Sequence, residues 1–124
     1  MNLPDKIGKT YIQRIAHIYG ILWEKKYGMK PMVSFGLIGK SVQQLMDLGF
    51  NEYQIAYFLT LFFDWAGANG DDDWTRKRLE SKTHSIFLLK GEIDSMRAYS
   101  KNVLGVDSDD IEKIKPIVDK IIDN

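Results

Sequence analysis

Eight basic side chains carry the types and spacing most suited to chemistry. They fall in two groups, Lys25, Lys26, Lys30 and Lys40, then Arg76, Lys77, Arg78 and Lys82. The first group lies beside Trp23 and Tyr27, the second beside Trp74. Cations interleaved with aromatic rings suit phosphates and stacked bases. They suit an acidic protein surface equally well. The plainer alternative is a solvated, charged helix face. A second candidate surface is acidic: Asp71, Asp72 and Asp73 follow Gly70 directly. Consecutive aspartates do not converge on one cation as the alternating carboxylates of a calcium loop do. Helix capping, or contact with a partner, fits them better.

Other constellations fall short of a catalytic, cofactor or metal signature. Gly36, Gly39, Lys40 and Ser41 have a P-loop flavour, but that loop needs four residues between its first glycine and the Gly-Lys pair; here there are two. A helix start explains them better. Asp64 sits in an aromatic run, where a partly buried carboxylate needs a partner such as Arg76 or Arg78. His17 and His84 are the only histidines. Neither has zinc-protease spacing, and a Ser85 adjacent to His84 rarely has the geometry for nucleophilic activation. No catalytic, cofactor-binding or metal-binding residue is therefore assigned, and the chain is not expected to be an enzyme.

The elements that position these groups follow from composition and period. The 124 residues are 44% hydrophobic and 27% charged, which suits one soluble domain with a real core. Cysteine is absent, which excludes disulfides and thiolate zinc sites. No segment has the apolar length of a membrane span, and the N-terminus lacks a signal-peptide core. Net charge is zero but blocked: +5 over residues 1–40, −6 over 41–75, +4 over 76–101 and −3 over 102–124. A fold that gathers the two basic blocks would favour a polyanion despite the zero balance.

Residues 51–66 are the densest apolar stretch and predict a central, aromatic-rich helix, with Asn51 and Gln54 as its capping box. Ile7, Tyr11, Ile15, Ile18 and Leu22 predict a first helix over 5–27, closed by Gly28; Gly20 within it suggests a close helix crossing. Ser34 should cap a second helix over 35–48, closed by Gly49. A short helix around Trp74–Leu79 and a fifth over 83–99, broken near Lys90, come next. The last segment, 108–122, is capped by Asp107 or Ser108 and kinked or divided by Pro116. The expectation is an all-α fold: one compact domain over 1–124, a bundle of five to six helices.

Three stretches add a resemblance. Tyr27-Gly-Met-Lys-Pro31 leads into Ser34-Phe-Gly-Leu-Ile-Gly-Lys40. Phe62-Phe-Asp-Trp65 then runs to Gly70-Asp71, and Lys77-Arg-Leu79 follows. Their order, over about residues 20–100, resembles small helical bacteriophage accessory proteins and domains of phage replisome organiser or helicase-loader-like proteins. The resemblance implies a non-enzymatic role in DNA replication within the host cytoplasm. The partner would be DNA or a replication protein such as a helicase. The alternative is a phage-encoded interaction module that inhibits a host or defence protein through an acidic surface, the tip at Asp71–Asp73 with the acidic C-terminal block, or through an aromatic one. Separately, Tyr53, Tyr57 and Trp65 offer a self-associating aromatic surface for a homo-oligomer. A virion component is a third option.

Overall fold

The computed structural model describes residues 1–68 and 85–123, with the backbone course alone over 65–68. The order is a 3₁₀ turn at Asp5–Ile7, α1 (Tyr11–Tyr27), α2 (Phe35–Asp47), α3 (Glu52–Ala68), a 3₁₀ segment at Ile86–Glu92, α4 (Ile93–Tyr99), a π-helical turn at Ser100–Leu104, and α5 (Ile111–Asp123). The described residues contain no strand, so the all-α expectation holds. The short helix expected around Trp74–Leu79 lies outside the described residues.

α3 is the axis. Its capping box forms as the sequence implies: Gln54 N donates to Asn51 Oδ1 and Asn51 N donates to Gln54 Oε1, both at 3.0 Å. Every side chain from Glu52 to Leu59 is buried, as are Leu61, Phe62 and Phe63. A helix apolar around most of its circumference is stable only when surrounded, and α1, α2, α4, α5 and the 86–92 segment all pack on it. Tyr53 and Tyr57 are among these buried residues. They therefore offer no surface for self-association, because their rings form part of the core.

α1 runs beside α3 in the same direction. Arg14 meets Glu52 near one end, while the Tyr19 and Trp23 rings lie 5.7 and 6.3 Å from Phe63 further along. The first helix starts later than its apolar stripe suggests. Gly8 is extended, and Thr10 caps α1 through its own box with Gln13. α2 crosses α1 where Gly39 sits; a Cβ there would lie 2.9 Å from Ile12 Cδ1. Gly20, by contrast, faces open space, so the close crossing uses Gly39.

The described part of the expected fifth helix, residues 85–99, holds two elements. The 3₁₀ segment opens on Ser85, whose Oγ accepts Phe87 N at 3.3 Å, and it passes into α4 at Ile93. The π turn ends on Gly105 in the left-handed region (φ 70°). Ser100 Oγ donates to Val106 O at 2.6 Å, so the Tyr57 hydroxyl, 2.5 Å away, donates its hydrogen to Ser100. This relay pins the turn to the core helix. Asp107 Oδ1 accepts Asp109 N, and α5 follows as one uninterrupted helix with Pro116 inside it. Of the two outcomes expected at Pro116, a kink or a division, the division does not occur. Ile114 and Val118 are fully buried in the core cluster on either side of the proline and hold the segment in register.

Candidate functional site

Among the described residues, the connection between α1 and α2 and the start of α2 gather the most large apolar side chains in solvent, with Val103 and Leu104 a smaller pair in the π turn. α1 ends at Gly28 (φ 75°), whose N–H returns to Glu24 O at 2.8 Å. α2 begins at Ser34, whose Oγ accepts Leu37 N at 3.1 Å. The chain between these caps is irregular and alternates. Pro31 and Val33 are half-buried, whereas Lys30, Met32 and Ser34 are exposed. Met29 and Phe35 flank this run at 61% and 62% exposure, and Met32 is fully exposed. Lone exposed apolar residues are ordinary; three within seven residues form a patch that needs a reason.

The patch sits between two furrows. One, of about 430 Å³, is lined by His17, Gly20, Ile21, Glu24, Phe35 and Ile38. The other, of about 440 Å³, is lined by Tyr19, Trp23, Met29, Met32, Leu37 and Ser85. Lys30, Pro31 and Val33 form the divide and line both. Methionine is unbranched and polarizable, so it adapts to an irregular partner surface.

The structure separates the basic residues of the first cluster. Lys25 and Lys26 occupy the last turn of α1 and are exposed. They line a different furrow, with Phe63 and Asp64, and Lys26 Nζ also donates to Phe63 O at 3.3 Å. Lys30 belongs to the methionine patch. Lys40 is exposed on α2. The basic residues Arg76, Lys77, Arg78 and Lys82, and the acidic Asp71, Asp72 and Asp73, lie outside the described residues, as does His84. The joining of two basic blocks into one surface is thus not among the described contacts.

Other candidates resolve plainly. Gly36, Gly39, Lys40 and Ser41 all lie within α2, and the residues before it form no strand; this is a helix start. Asp64 is exposed, not partly buried, and shares a furrow with Lys25 and Lys26. Among the described residues no three His, Cys, Asp or Glu side chains converge as metal ligands. Among them, too, no helix is long and apolar enough to cross a membrane.

Sequence reasoning missed Met29, Met32 and Phe35 as surface residues. The available signal was the position of Met29 and Met32 between a helix stop, Gly28, and a helix start, Ser34, with Pro31 between them and Phe35 just beyond: a short connection that cannot bury every apolar side chain it carries. No protein family, curated protein or solved structure matches this chain.

Proposed function

We propose that this protein is a non-enzymatic accessory factor of bacteriophage DNA replication, acting in the host cytoplasm by docking onto a replication protein such as a helicase. The observation that carries the docking reading is the exposed trio Met29, Met32 and Phe35 around Lys30, above two apolar furrows. Interface centres are built from such side chains, with charge at the rim. The phage setting comes from the resemblance of residues 20–100.

Of the two partner classes, a protein fits better than DNA. Duplex-binding surfaces are strongly basic and carry many phosphate contacts. Here Glu24 lies in the same furrow as Lys30, and the intervening surface is apolar. The partner element that fits is apolar at its centre and acidic at its edge.

The test is direct binding of the purified chain to the phage or host replicative helicase, beside a gel shift with duplex and single-stranded DNA at low salt. Saturable helicase binding that Met32→Asp weakens tenfold or more is the expected result. DNA binding that falls steeply with salt and ignores Met32→Asp would replace the protein partner with nucleic acid. Absence of both would remove the replication reading.

A further inference from the structure

We infer that the furrow enclosed by α1, α3 and α5 is a binding site for a small anionic amphiphile: one carboxylate on an unbranched alkyl chain. Two adjoining hollows, of about 460 and 280 Å³, share Leu22, Lys25, Thr60 and Ile121. Ile21 and Ile117 complete the apolar lining of the larger one, and Phe63 continues it into the smaller. The furrow exists because α5 spends its inner face on the core. Ile114 and Val118 are fully buried, whereas Ile117 and Ile121, on its flank toward α1, are only half-buried. Their accessible surface faces this hollow, and a volume of several hundred Å³ is ordinary for a small-ligand site.

The polar lining selects the head group. Lys25 of α1 and Lys120 of α5 both border the larger hollow, and Lys26 borders the smaller. The one carboxylate among the described lining residues is Asp64, so these residues carry an excess of positive charge. Thr60 Oγ1 already donates its hydrogen to Ala56 O at 3.0 Å. Among the described lining residues, the side-chain donors left to a ligand are therefore ammonium groups. Ammoniums are mobile point charges without the fixed pattern that reads a base or a sugar. They suit a carboxylate whose remaining atoms ask only for apolar contact. Ile21 is the one described residue that this site shares with the furrows beside the Met29–Phe35 surface, and none of Met29, Lys30, Met32 or Phe35 lines it; the assignment does not depend on the proposed docking role.

The test is calorimetric titration of the full chain with decanoate below its micellar concentration, alongside decanol and decyltrimethylammonium. Decanoate should bind one to one and more tightly than either control. Lengthening the chain by two carbons should tighten binding roughly tenfold, the gain expected from two more buried methylenes. Lys25→Glu combined with Lys120→Glu should weaken decanoate at least tenfold and leave decanol unchanged. In the unmodified chain, decanoate should shift the methyl resonances of Ile21, Ile117 and Ile121 selectively, a readout independent of how any variant folds. No saturable binding of decanoate, equal binding of the cationic amphiphile, or methyl shifts elsewhere would overturn the assignment. Binding of an acidic amphipathic peptide in place of decanoate would overturn it too, reassigning the furrow to a protein segment.

Discussion

Arg14 and Glu52 form a two-pronged ion pair inside the fold: Nε lies 2.7 Å from Oε1 and Nη2 3.0 Å from Oε2. Only 6% of Arg14 and 1% of Glu52 is exposed. The pair joins α1 to the first turn of α3, where a carboxylate also suits the helix dipole. Arg14 Nη1 reaches further, to Gly8 O at 3.3 Å, and so ties down the chain entering α1. The hydrogen bond to Glu52 is the leading cause that holds the guanidinium above its ordinary range. Removing Glu52 leaves the buried guanidinium with only Asp5 as counter-charge, a largely exposed carboxylate 3.7 Å from Nη1. Glu52→Gln should therefore cost about 3–5 kcal/mol in urea unfolding, and the double variant Arg14→Met, Glu52→Leu should recover most of that loss. A double variant as unstable as the single would show that the two side chains are not coupled.

Two glycines should respond to alanine with opposite signs. At Gly8 an added Cβ would lie 2.7 Å from Gln13 Cβ and 2.8 Å from the Arg14 backbone nitrogen, atoms that cannot swing away. Gly8→Ala should destabilise by about 1–3 kcal/mol through overpacking against the start of α1. At Gly20, inside α1, the added methyl meets nothing within 4 Å. Gly20→Ala should stabilise by about 0.5–1 kcal/mol, because glycine loses more backbone freedom in a helix. Paired thermal melts check both signs.

These glycines also show where the sequence was legible. The Asn51–Gln54 box and the unbroken apolar run after it located α3, because a cap and a period agree there. Thr10 and Gln13 make the same kind of box, yet the apolar stripe from Ile7 onward runs across it. Periodicity alone does not register that Gly8 breaks the chain. The 86–92 segment read as α-helix because 3₁₀ and α turns share their local residue preferences; tertiary packing of Ile86 and Leu89 decides between them. At the candidate surface, the lysines were visible as charge. Met29 and Met32 were not, since an apolar residue in a connection reads as core until its burial is known.

Stability should fall in alkali, where tyrosines with equal folded and unfolded affinities for the proton would leave it unchanged. Burial is the leading cause that raises the phenols of Tyr19, Tyr53 and Tyr57 above the ordinary value of 10.0. For Tyr53 the neighbouring Asp119, 3.2 Å from its hydroxyl, adds to the rise. The folded state keeps these protons where the unfolded chain releases them. Their contribution is complete below pH 10 and lost progressively as pH climbs through and beyond it. Urea midpoints measured from pH 8 to 11 should decline. Tyr53→Phe should make the decline shallower, as the ring stays and the titrating group goes. An unchanged slope would mean that this phenol is reached by solvent.

The Met29–Phe35 surface makes a prediction that separates function from folding. Met32 makes little use of the core, so Met32→Asp should change stability by no more than about 0.5 kcal/mol. Val33, its half-buried neighbour packed on the core cluster, should behave differently: Val33→Asp forces a carboxylate toward apolar surroundings and should cost about 1–3 kcal/mol. If the surface is a docking site, Met32→Asp and Phe35→Asp should each weaken partner binding tenfold or more at unchanged melting temperature. Each places a charge at the centre of an interface that depends on excluding water. Lys30→Glu should act mainly on the association rate and its salt dependence, as a rim charge does. Equal effects of Met32→Asp on binding and on melting temperature would mean that Met32 supports the fold, and the exposed trio would lose its role.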